Sequence, residues 1–144
     1  MYKIRVKLKS FSAAHRLRKY HTDRCSNLHG HNYDISVVLG TKRLNEFGFV
    51  MDFRRVKELC NNWVEKHWDH VVILDENDST LLEFLKREQQ KFFLLPNEYP
   101  TSAENLAKYA FIQLAEIIDR EDKQIKLLQV EISETKNCTA IYAE

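Results

Sequence analysis

Turn punctuation is scarce in this chain: three glycines and two prolines serve 144 residues, too few for a collagen-like, Pro-rich or Gly/Ser-linker protein. No window approaches the roughly 20 consecutive apolar residues needed to cross a bilayer. The N-terminal MYKIRVKLKSF alternates polar with apolar residues and so lacks the apolar stretch of a secretory leader. Neither sign of charge dominates. The 22 Lys and Arg against 21 Asp and Glu leave a net charge of +1, which gives no general pull toward nucleic acid or membrane. Cysteine is too sparse and irregular for a disulfide framework, since Cys25, Cys60 and Cys138 are the only three. A cytoplasmic protein with no direct nucleic-acid or membrane partner is the expectation.

What is present suits a single globular domain over residues 1–144, with 44% hydrophobic and 30% charged residues and enough length to bury a core. YKIRVKLKSFSAAH alternates over more than one strand's usual length and reads as a long strand, and HGHNYDISVVLGTK reads as its antiparallel partner. RLRKYHTDRCSNL joins them as a basic loop, long enough to suggest a function. FGFVMDF reads as a short strand, after which Asp52 is placed to cap a helix over FRRVKELCNNWVEKHW. Val56, Leu59, Cys60, Trp63 and Val64 recur there at helical steps, making Cys60 a small buried hydrophobe. STLLEFLKREQQ, capped by Ser79 or Asp78, is a second helix, and KFFLL a strand. PTSAENLAKYAFIQLAEIID is the clearest helix. QIKLLQVEISET and TAIYAE form a terminal hairpin turning near Lys136-Asn137. Four to six strands, largely antiparallel, with two to three helices make an α+β fold.

The chemistry concentrates in CSNLHGHNYD and the upstream FSAAHRL. His29 and His31 stand two apart on a strand and so share a face. Phe11, Ala13 and His15 share a face of the preceding strand, which lets His15 meet the other two across the pair. Three neutral imidazoles suit Zn²⁺ and leave a fourth position open for water or substrate. Set against this is a pair of strand histidines with no ligand. His21 in the loop could compete as a ligand, and His67 falls on a solvated helix turn.

Cys25 lies four residues before His29, near Arg16, Arg18 and Arg24, a setting that favours thiolate and would let it act as base or nucleophile. The alternative makes Cys25 a fourth metal ligand that closes the site. Asp69-His70 follows a helix. The pair either positions an imidazole for proton transfer or decorates a helix C-terminus, where the dipole favours histidine. Adjacent residues join ring to carboxylate less freely than distant ones. Glu134 continues the otherwise apolar face of Val130 and Ile132, either at a frayed strand end or kept for a partner with paired N–H donors.

Taken together and in order, FSAAHRL, CSNLHGHNY, GFVMDF, WDHVVIL, PTSAENLA and ISETKNCTAIY resemble the 6-pyruvoyl-tetrahydropterin synthase superfamily over nearly the whole chain. Three residues between the cysteine and the first histidine place it closest to the 6-carboxy-tetrahydropterin synthase branch of the queuosine pathway. The resemblance implies the tunnelling fold, or T-fold. In it, antiparallel four-stranded sheets with helices on one face join across subunits into an oligomeric β-barrel, usually a hexamer, with active sites between subunits. It further implies zinc on His15, His29 and His31, Cys25 as proton acceptor, Asp69 and His70 as a proton relay, and Glu134 with Thr135 anchoring a pterin. The implied substrate is 7,8-dihydroneopterin triphosphate and the implied activity a zinc-dependent carbon–carbon lyase, either carboxy- or pyruvoyl-forming. Charge then suggests Arg16, Arg18, Lys19 and Arg24 as triphosphate contacts. PTSAEN departs from some relatives by one residue between threonine and glutamate, so Thr101 and Glu104 receive no assigned role.

Overall fold

The computed structural model describes residues 1–18, 24–97 and 99–144; Lys19 and His21 lie outside them. Strand β3 (His29–Thr41) is the axis of the fold. Its C-terminal half pairs with β1 (Tyr2–Lys7) and its N-terminal half with β2 (Phe11–His15), both antiparallel. The long N-terminal strand is therefore two strands laid end to end. Lys7 pairs with Ser36 and Phe11 with Tyr33, so four steps on one strand oppose three on the other. That extra residue is a bulge, and it moves the inward parity from Val6 and Leu8 to Phe11, Ala13 and His15, all buried.

On the other side of β3 lies β6 (Lys126–Thr135), followed by β7 (Cys138–Ala143), completing an antiparallel four-stranded sheet β1-β3-β6-β7. The sheet continues past β2 through β4 (Val71–Asp75) and β5 (Phe92–Leu95), and these pairings are parallel. Strand β4 carries no alternating signal because both faces are covered. Ile73 joins the main core, while Val72 and Leu74 pack on the reverse face with Leu81 and Leu85.

Helices α1 (Phe53–His67) and α3 (Ala103–Glu121) cover one face, burying Val56, Cys60, Val64, Leu106, Ala110 and Leu114 against Ile35, Val37, Val130 and Ile132. Helix α2 (Ser79–Arg87) packs on the opposite side of β4, so the helices do not all share one face. The caps follow local chemistry: the Asp52, Asp78 and Ser102 side chains accept from the amides of Arg54, Leu81 and Asn105. Burial pushes the Cys60 thiol up to about 12, as suits a residue serving as a hydrophobe. His67 is half-buried rather than solvated, its ring stacked on Trp63 and its Nδ1 bonded to the Trp63 carbonyl at 2.8 Å.

FGFVMDF is not a strand. The Asn45 side chain accepts from the amides of Phe47 (3.0 Å) and Phe49 (2.9 Å), and Gly48 closes the turn at φ 79°. A captured turn of this kind has no ladder to offer.

Candidate metal centre

His15 pairs with His29 and Ala13 with His31 in the β2–β3 register, so alternation delivers all three rings to one face. Gly30 lets the strands approach: a Cβ there would lie only 3.3 Å from the Ala13 carbonyl oxygen. His15 Nε2 is 3.1 Å from His29 Nε2 and 3.2 Å from His31 Nε2. Among the described residues, these three form the group able to hold an ion together.

The protonation of the rings follows from their other ends. His15 Nδ1 lies 2.7 Å from the Thr101 carbonyl oxygen, and His29 Nδ1 lies 2.7 Å from that of Asn27. A carbonyl only accepts, so each Nδ1 carries the hydrogen and each Nε2 presents a lone pair when the ring is neutral. Burial lowers the His15 pKa to about 4 and also lowers that of His31, so His15 is neutral near pH 7. Two lone pairs facing each other at 3.1 Å make no hydrogen bond. They call for a shared electrophile, and ligand nitrogens about 3.3 Å apart are what tetrahedral Zn²⁺ with ~2.0 Å bonds requires. The residues fit a metal.

Glu134 borders this cluster. It sits where the β6–β7 register shifts between Ser133 and Thr135, and its carboxylate lies 3.7 Å from His15 Nε2 and 3.9 Å from His31 Nε2. An apolar face ending in a carboxylate thus meets the histidines, a proximity that alternation within one strand did not reveal. Beneath them Tyr33 is fully buried, stacked on Phe11 and edge-on to His31, with a hydroxyl that has no hydrogen-bond partner among the described residues. Burial raises its pKa, so it remains a phenol.

Asp69 and His70 do pair directly, His70 Nδ1 lying 3.0 Å from Asp69 Oδ1. Adjacent residues manage this because His70 takes a left-handed backbone, φ 59°. Both clamp the same residue of β2, the Ser12 amide donating to Asp69 and the His70 amide donating to the Ser12 carbonyl. Burial alone would raise the Asp69 pKa, but the Ser12 amide and His70 outweigh it and hold the carboxyl low. His70 and His31 border one cavity of about 610 Å³, with Asn32 and Lys91 on its walls.

The basic loop divides. Arg16 is committed to Asp78 by two bonds of 2.7 and 2.6 Å, and Arg18 lies 3.6 Å from Asp75. Arg24 is exposed, in the turn whose carbonyl accepts from the Asn27 amide. Cys25 is half-buried and free, and its carbonyl accepts from the Leu17 amide at 2.7 Å. Thr135 is exposed, its hydroxyl accepting from the Asn137 amide at the hairpin turn. Glu104 lies in the first turn of α3. Sequence reasoning missed Thr101 and Asn27 as the groups that orient the histidines. Both act through backbone carbonyls, which leave no residue-type signal.

The 6-pyruvoyl tetrahydropterin synthase family matches residues 3–144. The chain is 32% identical over 129 residues to 6-carboxy-5,6,7,8-tetrahydropterin synthase of Rickettsia bellii, covering 89% of this chain and 91% of that one. It is 34% identical over 127 residues to the enzyme of the same name from Aquifex aeolicus, covering 85% and 77%. Among solved structures, Caenorhabditis elegans 6-pyruvoyl tetrahydropterin synthase superposes with TM-score 0.66 at 26% identity, covering 100% of this chain and 97% of that one. An uncharacterized Wolinella succinogenes protein shares the fold at TM-score 0.82 and 19% identity, over 99% and 98% of the two chains. The chain belongs to the 6-pyruvoyl tetrahydropterin synthase family, and its fold is the T-fold of these structures.

Proposed function

We propose that this family member is a zinc-dependent 6-carboxy-5,6,7,8-tetrahydropterin synthase, converting 7,8-dihydroneopterin triphosphate and water to carboxy-tetrahydropterin, acetaldehyde and triphosphate. The observation that carries the reading is the convergence of three imidazole Nε2 atoms, two of them fixed as lone-pair donors by carbonyls on their far side. The names of the curated relatives support the carboxy product.

His15, His29 and His31 would hold the zinc, which supplies Lewis acidity toward the substrate's side-chain hydroxyls. Cys25 accepts a proton from the substrate side chain. His70 moves a second proton at Nε2, because Asp69 occupies Nδ1 and fixes the tautomer. Glu134 accepts neighbouring N–H groups of the pterin edge in a fork, with Thr135 beside it. The exposed Arg24 is available to the triphosphate. Arg16 contributes through structure instead, because its guanidinium is spent on Asp78. The working state is a homo-oligomer, a hexamer, in the cytoplasm, and the product feeds queuosine synthesis.

The family description favours one second reading, the pyruvoyl-forming reaction on the same site. Incubating zinc-loaded protein with 7,8-dihydroneopterin triphosphate, beside Cys25→Ala, decides by mass spectrometry. Carboxy-tetrahydropterin and acetaldehyde from the wild type alone are expected. A pyruvoyl product moves the protein to the neighbouring branch, and no turnover with zinc bound overturns the lyase.

A further inference from the structure

We infer that Thr101, Arg16 and Asp78 are positioning residues for the metal: they form a relay, buried at Thr101 and Asp78, that sets the orientation of His15 and hence the zinc affinity of the site. The inference rests on the proposed zinc reading and extends it to residues two layers behind the ligands.

The relay is continuous. Asp78, 3% exposed at the N-terminus of α2, takes the Arg16 guanidinium in a fork at 2.7 and 2.6 Å. The Arg16 carbonyl accepts the Thr101 hydroxyl at 3.2 Å. The Thr101 carbonyl accepts His15 Nδ1 at 2.7 Å. Thr101 and His15 are each 1% exposed, so no water can replace a missing partner cheaply. Arg16 follows His15 directly in the chain, so Thr101 holds the His15 ring and the adjoining backbone at once. That fixes both the tautomer and the plane of the ring.

His15 is also the histidine whose Nε2 lies within 3.2 Å of both others. An error in its plane is therefore felt by two nitrogen–nitrogen distances. Partners behind a metal-bound imidazole typically control affinity by 10–100-fold. Here that control passes through a threonine hydroxyl and an ion pair contributed by two separate helix entrances.

The test is zinc affinity by chelator competition on the full chain, together with hydrogen exchange at His15 Nδ1 in zinc-free protein by NMR. Thr101→Val keeps shape and carbonyl but removes the hydroxyl donor. It should weaken zinc binding about 10-fold and speed Nδ1–H exchange, while Thr101→Ser restores both. Asp78→Asn keeps a cap acceptor for Leu81 but loses the charge, and should weaken zinc in the same direction. It carries the test alone if Thr101→Val does not fold. Zinc affinity within about twofold of wild type in the folded variants overturns the relay and leaves the zinc reading intact. A wild type that binds no zinc overturns both.

Discussion

His15 and His29 face each other through Nε2 atoms 3.1 Å apart while each turns its Nδ1 to a backbone carbonyl at 2.7 Å. This is a ligand pair prepared before any ion arrives. His15→Ala should therefore abolish stoichiometric zinc binding without unfolding the sheet, measured by metal analysis of purified protein beside its circular dichroism. Undiminished zinc content would remove His15 from the site.

Acid should destabilise the zinc-free protein through the same residue. Burial lowers the His15 pKa from 6.5 to about 4, so the unfolded chain takes up a proton that the folded chain refuses. Stability is complete above pH 6.5 and falls as pH drops toward 4, by on the order of 3 kcal/mol from this group. Denaturant titrations across that window should show the loss, and His15→Gln should flatten it. A slope unchanged in the variant would assign the acid sensitivity elsewhere.

Asp69 fixes the His70 tautomer, so Asp69→Asn should leave zinc affinity unchanged and lower kcat by about 100-fold. A variant with wild-type kcat would reduce the pair to a structural clamp on Ser12.

Glu134 lies 3.7 Å from His15 Nε2 and 3.9 Å from His31 Nε2, close enough to serve either pterin or metal. Glu134→Gln should raise KM for the pterin substrate by about 10-fold, the loss of one charge-assisted pair of bonds, with zinc retained. Zinc lost from the purified variant would make it a metal ligand instead.

The β2–β3 register joins His15 to the other two histidines, while period-two alternation by itself placed His29 with His31 and His15 with Phe11 and Ala13, because parity along a strand is local and needs no knowledge of the fold. The same held for α1 and α3, whose apolar stripes and Asp52 and Ser102 caps lie within a few residues of what they satisfy. The long N-terminal strand was legible as a strand but not as two. Only pairing with β3 shows the extra residue between Lys7 and Phe11.

What tertiary structure decided are relationships between distant segments. Arg16 reads as a free phosphate contact until Asp78, 62 residues away, takes it. Strand β4 is visible only once α2 and the main core cover its two faces. Thr101, with no assignable role in sequence, becomes the group behind His15 because its carbonyl lies 86 residues away in the chain and 2.7 Å away in space. Side-chain types set which atoms can ligate. The backbone of a remote loop sets which of their nitrogens is free to do so.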